Sequence, residues 1–430
     1  MRRLAISVPM LILFGSLAHA QMYVPWAERE TGNYFTGGFG VTWIDNQPYY
    51  LVNLSPEFSL GKIGVGFDVN LRFSPEGKLR NQDFKEPYDY FRMIRYIRYG
   101  MKHDPIYARI GILNMVTLGH GIIMQWYTNS PSYEYRKLGT EFAFDFTHIG
   151  FEGIYSDFNE LSIVGGRAFV RPLRFTSAGD IPIIGNLDIG LSYVTDLNKN
   201  AGIVRITPTV RDTGHIAIYG ADIGLPVLNM AWLNSSIYAQ AAKIAKFGSG
   251  QAVGIDLNAE LLGLVRAGAK LERRFIGAHF IPSYFGPFYE LERYQPAPDF
   301  NSKIAQLVSD SVSRAGIYGE LRANVIGAIE IVGALQTIDG ASYRNQLHLG
   351  ARLPRSFPSV YAEAAYDKNR FANFREAFTL PGSLLSAILG YKPYPFLLVS
   401  MFYQWTFTEE NGQLKKQVRV EPRISFIYTF

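Results

Sequence analysis

The segment from Val418 to Phe430 constrains the fold more than any other stretch, because its residues alternate between two chemical classes. Every second residue of this segment is apolar, and the residues between them are polar except for Ile427. Successive side chains of a β-strand point to opposite faces, so one face here is apolar and the other carries charge. The apolar positions are Val418, Val420, Pro422, Ile424, Phe426, Tyr428 and Phe430. The segment is therefore predicted to be a two-faced strand.

This ending resembles the assembly signal of Gram-negative outer-membrane β-barrels, in which the last strand closes the barrel and ends on Phe. The residues that carry the resemblance are Phe426, Tyr428 and Phe430. The resemblance implies a transmembrane barrel that is inserted by the barrel-assembly machinery and surrounded by outer-membrane lipid. It implies a compartment and an architecture, and it does not name a substrate.

The first twenty residues are predicted to be a cleavable signal peptide. Arg2 and Arg3 precede a short apolar run, and Ala18-His19-Ala20 offers small residues for cleavage before Gln21. Removal of the two arginines lowers the formal charge from +5 to +3, which is too small to indicate a nucleic-acid partner. The chain has no cysteine, so disulfides and thiol chemistry are excluded.

Two-faced segments recur throughout residues 21–430, which we interpret as one domain. One example is 62–74, and another is 251–261, where Val253, Ile255 and Leu257 alternate with polar or small residues. Such faces suit lipid outside and water inside. The alternating segments give an odd count, whereas a bacterial barrel needs an even one. We therefore expect an all-β fold, a single antiparallel barrel of about 18–20 strands, with 371–380 as the best candidate for the missing strand.

Long connections are expected at one end of this barrel, near 75–90, 119–137, 197–213 and 276–314. The connection at 276–314 is rich in aromatic residues and proline and ends in a predicted helix, capped by Asn301 or Ser302. Two interpretations of it stay open: it folds into the pore as a constriction, or it covers the rim. The apolar run from Leu118 to Tyr127 also has two interpretations, because it either packs inward or extends the preceding strand.

The polar faces supply the candidate functional residues. We predict that they line a pore: Arg72, Arg109, Arg266, Lys270, Glu320, Arg322, His348 and Arg352. These charged residues either select solutes by the sign of their charge or form ion pairs across strands that stabilise the water-facing side of the barrel wall. Residues of both signs are present. The histidines show no metal-ligand spacing, so no metal and no cofactor are predicted. No linear catalytic motif is present, and we predict no enzyme, although a site assembled from distant strands escapes such a search.

Two functions remain open at this point. The first is an outer-membrane channel that passes small solutes, because about 18 strands enclose a lumen too wide for side chains alone to fill. The second is a surface barrel without transport, which holds or assembles capsule or exopolysaccharide. Aromatic connections suit stacking against sugars, and a plugged lumen would favour this alternative.

Overall fold

The computed structural model describes residues 33–102, 104–130, 136–206, 209–212, 215–293, 302–326, 329–353, 357–410 and 413–429. The predicted signal peptide and Phe430 lie outside these residues. None of the helices in the described ranges is long and apolar enough to cross a membrane.

The described chain is dominated by antiparallel strands. In chain order they are β1 (Tyr34–Ile44), β2 (Gln47–Leu60), β3 (Ile63–Phe67), β4 (Val69–Phe73), β5 (Ile94–Tyr99), β6 (Ile106–Gly111), β7 (Gly139–Phe146), β8 (Ile149–Tyr155), β9 (Ile163–Val170), β10 (Asp188–Asp196), β11 (Ile203–Ile206), β12 (Thr209–Asp212), β13 (Ile216–Asn229), β14 (Leu233–Ile244), β15 (Ser249–Leu261), β16 (Val265–Ile276), β17 (Arg314–Val325), β18 (Ile329–Ile338), β19 (Gln346–Leu353), β20 (Val360–Asn369), β21 (Ser383–Tyr394), β22 (Leu397–Glu410) and β23 (Gln413–Thr429). Short α-helices lie at α1 (Pro87–Phe91), α2 (Tyr289–Glu292) and α3 (Lys303–Ser309).

These strands close into a barrel. The last strand pairs with the first, with Tyr34 opposite Thr429 and Gly37 opposite Phe426. β3 and β4 both pair with β2 and together form one wall strand, interrupted at Asp68. β11 and β12 form a separate hairpin in the connection between β10 and β13. The wall therefore has 20 strands, which confirms the predicted even, antiparallel barrel.

The alternation seen in the sequence becomes an apolar outside and a polar inside. On β16, Leu271 and Phe275 are exposed on the outer surface, while Lys270, Glu272 and Arg274 are buried on the inner one. The burial of charged residues beside exposed leucine is the reverse of a water-soluble sandwich and matches a wall with lipid outside. Exposed aromatic residues also lie near the strand ends, among them Trp43, Tyr50, Trp232, Tyr394, Phe396 and Tyr428. Aromatic residues favour the interface between lipid and water.

One strand was placed wrongly from the sequence. Residues 371–380 contain a short 3-10 turn at Glu376–Phe378, not a strand. The missing strand is β21, directly after this segment. Its inner-facing Leu384 packs against buried apolar residues of the barrel interior, so both faces of β21 carry leucine and the alternation is lost.

Candidate functional site

Two long connections fold into the lumen and form the candidate functional site. We name them the first insert, residues 112–138, and the second insert, residues 277–313; 131–135 and 294–301 lie outside the described residues. Met124 of the first insert pairs in parallel with Phe285 of the second. Both inserts leave the same end of the barrel, which also carries the connections 74–93 and 197–215. The inward interpretation therefore holds for both the 276–314 connection and the run from Leu118 to Tyr127.

The inserts share one apolar cluster with the wall. Wall residues of this cluster lie where β8, β9, β10, β13, β14, β15, β16 and β18 approach the end with the long connections. Burial of this apolar surface stabilises the inserts in the lumen, at roughly 25 cal/mol for each Å² removed from water. The buried insert members are Leu113, Val116, Leu118, Ile122, Ile123, Met124, Tyr127, Phe280, Ile281, Tyr284, Phe285, Tyr289, Ile304 and Leu307.

The predicted helix of the second insert is confirmed as α3. The Ser302 hydroxyl accepts a hydrogen bond from the Ala305 backbone N–H at 3.4 Å, which satisfies one free donor at the helix start. Ile304 and Leu307 point from this helix into the apolar cluster and are fully buried. The spacing of three residues places them on one helix face, as the sequence pattern predicts.

A chain of buried ion pairs anchors the second insert to the wall. Arg293 donates to both oxygens of Asp196 on β10, each at 2.5 Å, and lies 3.4 Å from Glu290. Glu290 also accepts from Lys137 at 2.9 Å and from the Tyr127 hydroxyl at 2.5 Å. Burial raises the pKa of Glu290, but Lys137 and Arg293 outweigh it and hold this pKa below its ordinary value of 4.5. The ion pairs of Glu290 therefore contribute their full stability above pH 4.5, and this contribution is lost as the pH falls through the lowered pKa of Glu290.

The second insert also reaches the opposite side of the lumen. Glu292 accepts hydrogen bonds from Lys303 at 2.9 Å and from Asn369 on β20 at 3.0 Å. Phe288 packs against Phe407 on β22. Contacts to β10 on one side and to β20 and β22 on the other show that this insert spans the lumen.

The first insert also makes polar contacts with the wall, in addition to its apolar packing. Gln125 donates to the Tyr318 hydroxyl at 2.6 Å and accepts from Arg274 at 3.0 Å. Lys270 donates to the backbone carbonyl of His120 at 2.6 Å. Arg274 also lies 4.4 Å from the centre of the Tyr318 ring, within cation–π range. The wall thus presents charged groups to the insert rather than to open water.

A cavity of about 410 Å³, counting its open side, lies between both inserts and the wall from β16 to β20. Trp126 meets His348 edge-on, with ring centres 3.9 Å apart, and His348 pairs with Asp367 at 2.6 Å. The cavity is lined by Gln125, Trp126, Arg274, Ser283, Pro287, Phe288, Tyr318, Ala334, Gln336, Gln346, Leu347, His348 and Asp367.

The structure gathers four of the predicted pore-lining residues in one region and disperses the others. Lys270 on β16 contacts the first insert, His348 on β19 lines the cavity, and Glu320 and Arg322 lie on β17 between these two strands. Glu320 accepts from the Tyr318 hydroxyl at 2.6 Å and lies 3.4 Å from Arg322.

The remaining four predicted residues lie elsewhere on the wall. Arg72 is buried on β4, 3.2 Å from Asp83 and 3.7 Å from Glu421. Arg109 on β6 lies 5.2 Å from the centre of the Tyr96 ring. Arg352 is buried on β19, and Arg266 lies exposed on β16, 3.6 Å from Glu260. Arg72 and Arg266 thus have carboxylate partners on other strands, which favours the cross-strand pairing interpretation over a lumen of one sign.

Sequence reasoning missed the residues that build the site. Gln125, Trp126 and Arg274 stand in the cavity, and Arg293 and Asp196 form the anchor. The signal available in the sequence was the apolar run of the first insert, which is unusual for an outer connection. Of the predicted assembly signal, Phe426 and Tyr428 are exposed on the outer face of β23, and Phe430 lies outside the described residues.

Two histidine–aspartate contacts have the residue types of a catalytic His–Asp pair. His348 pairs with Asp367, and His120 lies 3.8 Å from Asp222. Burial lowers the pKa of His120 to about 3 against the opposing effect of Asp222, so the ring is neutral. Within the described ranges, neither imidazole is hydrogen bonded to a hydroxyl that could act as a nucleophile.

No protein-family model and no curated protein sequence matches the chain. Several solved β-barrel structures are similar to this chain, although their TM-scores are low. OccK8 (OprE) of Pseudomonas aeruginosa is 11% identical with a TM-score of 0.34, covering 93% of this chain and 98% of its own. OccK2 (OpdF) of the same organism, solved with glucuronate, is 10% identical with a TM-score of 0.36, covering 93% and 96%.

Wzi of Escherichia coli, an outer-membrane protein involved in group 1 capsule assembly, is 11% identical with a TM-score of 0.35, covering 93% of this chain and 85% of its own. Scores of this size carry no information on substrate. The closed barrel itself, with its apolar exterior and polar lumen, has the architecture of outer-membrane β-barrel proteins.

Proposed function

We propose that the protein is an outer-membrane channel for the selective passage of small solutes, with the two inserts as its constriction. The observation that carries this proposal is the insertion of both connections into a lumen whose wall is polar. Location in the outer membrane, removal of residues 1–20 and recognition of Phe426, Tyr428 and Phe430 by the assembly machinery belong to the same proposal.

The inner half of the lumen supports this function. We use "inner half" for the end with mostly short turns and "outer half" for the end that carries the inserts. On β15 and β16, Glu260 and Arg266 face the inner half, and about half of each side chain is exposed. Solutes that enter this half meet water and charge, whereas the outer half is narrowed by packed side chains. Selectivity would therefore arise at the inserts.

The cavity beside Trp126 favours solutes without a strong net charge. The Arg274 guanidinium donates hydrogen bonds to Glu272 at 2.6 Å, to Gln125 and to Gln336. Its positive charge is therefore already balanced by Glu272. The His348 ring is oriented by Asp367. Amide, hydroxyl and aromatic groups remain as the available chemistry, which suits a small polar solute with an apolar face.

Swelling of proteoliposomes in uncharged solutes of increasing size tests the proposal. We expect entry of small solutes, a sharp size limit, and a higher limit when the cavity is enlarged by Trp126→Ala. Heat-modifiable migration on gels verifies that the variant is assembled. Absence of swelling in every solute, with an assembled barrel, would contradict passive passage.

A second candidate is a surface barrel that retains or assembles polysaccharide without transport. The observation that favours it is the apolar cluster across the outer half, which packs the two inserts tightly against the wall. Retention of polysaccharide by cells that carry the barrel, together with impermeable proteoliposomes, would support this candidate instead.

A further inference from the structure

His120 stands at the tip of the first insert, in the sequence Leu118-Gly119-His120-Gly121 that no step of the proposed channel uses. Gly119 and Gly121 have positive φ angles of 55° and 96°. Such angles are easily adopted by glycine and strained for other residues. A Cβ on Gly119 would also lie 2.9 Å from the Arg167 side chain. The glycines thus let the insert bring His120 close to the wall.

Three potential metal-donor side chains meet at this point. The ligand atoms of His120, Asp188 on β10 and Asp222 on β13 all lie within 4.8 Å of one another. The closest measured approach to the histidine is 3.8 Å, from Nε2 to Asp222 Oδ1. Ligands of a tetrahedral zinc ion lie about 3.3 Å apart, given metal–ligand bonds of about 2.0 Å. Side-chain shifts of about 1 Å would close the set.

The histidine nitrogen that faces this cluster has no hydrogen-bond partner in the described part of the chain. The His120 side chain is 9% exposed, so water does not readily replace that partner. The ring is held in place, because it stacks on Tyr238 with centres 4.0 Å apart and planes 2° apart. A buried imidazole nitrogen left unpaired is costly, which indicates that a partner of another kind belongs there.

The surrounding charge has the sign that a cation requires. Arg167 contacts Asp222 at 2.6 Å, Asp188 at 3.0 Å and Glu152 at 3.3 Å, so three carboxylates share one guanidinium and two of the three negative charges remain unbalanced. The neighbouring cations have other partners, since Arg171 pairs with Asp145 and Lys270 with Glu272. A divalent ion would balance the remaining charge.

We propose that His120, Asp188 and Asp222 form a binding site for one divalent transition-metal ion, with Zn²⁺ as the best-suited ion. One imidazole and two carboxylates, with a fourth position for water, match the donors and geometry that Zn²⁺ accepts. The bound ion ties the tip of the first insert to β10 and β13. The sequence gives no sign of this site, because its three ligands come from three separate segments.

Titration of the metal-free barrel with Zn²⁺ in a calorimeter tests the site. We expect one Zn²⁺ per barrel for the wild type and at least a hundredfold weaker binding for His120→Ala. Asp188→Asn, which removes the more exposed carboxylate, should weaken binding at least tenfold. His348→Ala is the matched control, because the His348 side chain is also about nine-tenths buried and has an unpaired Nε2 but lies beside a single carboxylate. Its titration should equal that of the wild type.

Co²⁺ substitution gives an independent readout. Tetrahedral Co²⁺ absorbs visible light strongly, so the wild type and His348→Ala should develop this band, and His120→Ala should not. Heat-modifiable migration confirms that each variant is assembled, and His120→Gln serves if His120→Ala does not fold. Absence of a Zn²⁺ site in the assembled wild type, or equal binding by both histidine variants, would overturn the proposal. Solute passage is measured separately, so failure of the channel function leaves this test intact.

Discussion

The two halves of the lumen are built on the same strands and yet differ in their contact with water. On β16, the side chain of Arg274 in the outer half is 1% exposed, whereas that of Arg266 in the inner half is 55% exposed. Both point to the same face of the same strand. The strand pattern therefore determines which side chains face inward, and the inserts determine whether those side chains meet water or packed protein.

This difference in exposure to water changes how much each ion pair contributes to the stability of the barrel. Arg274 and Glu272 are buried 2.6 Å apart, and removal of one partner would leave an uncompensated buried charge. Arg266 and Glu260 are 3.6 Å apart in water, where such pairs contribute about 0–1 kcal/mol. Substitutions in the two halves should therefore differ in both size and type of effect.

The largest effect of a single substitution is expected at the anchor of the second insert. Arg293→Met should cost on the order of 3–5 kcal/mol locally, because Asp196 and Glu290 would remain buried without their shared cation. We expect the insert to detach, and limited proteolysis of the assembled barrel should then cut the second insert.

Arg266→Met is the matched control in the inner half, and it should leave the proteolysis pattern unchanged. Equal protection of the second insert in the wild type and in Arg293→Met would show that the ion pairs do not hold it.

An intermediate loss of stability is expected from a substitution on the lipid-facing side of a strand, compared with one on its lumen-facing side. Leu257 and Asn258 are neighbours on β15 and face lipid and lumen, respectively. Leu257→Arg should destabilise the barrel by about 2–4 kcal/mol, since arginine near the membrane midplane is costly, whereas Asn258→Arg meets the polar interior. Urea unfolding in lipid vesicles measures both, and equal destabilisation would contradict the assigned faces.

The smallest effect on stability is expected in the inner half. Glu260→Gln and Arg266→Gln should each change stability by less than about 1 kcal/mol, because both side chains are exposed. They should instead change ion preference in opposite directions, with Glu260→Gln lowering the preference for cations. Reversal potentials in a salt gradient measure this preference. A large loss of stability in either variant would show that the inner half is also packed.

The sequence predicted the wall well because alternation is a local property. Each two-faced segment contains the information on which side meets lipid, and the pairing of the last strand with the first follows from closure. The exception is instructive. β21 was missed because Leu384 and Ile388 face inward on the same side as Ser386, and Leu384 packs near Phe288 of the second insert. The alternation of apolar and polar residues is lost where an insert fills the lumen, because inward-facing side chains there contact apolar protein instead of water.

The interior could not be predicted in the same way, because it depends on contacts between residues far apart in the sequence. Gln125 meets Tyr318, and Arg293 meets Asp196, across gaps of 193 and 97 residues. Neither pair shows a spacing that a linear pattern could identify. The composition of the inserts indicated that they were unusual connections, but only the packed structure shows that both enter the lumen.

Single-channel recording in planar bilayers measures whether the two inserts constrict the lumen of a channel. The wild type should show small, steady conductance, and a variant that lacks Pro282 to Ser311 should assemble and conduct several times more. A silent wild type with a conducting deletion variant would indicate the plugged surface barrel. Absence of conductance from both, or equal conductance, would contradict the account.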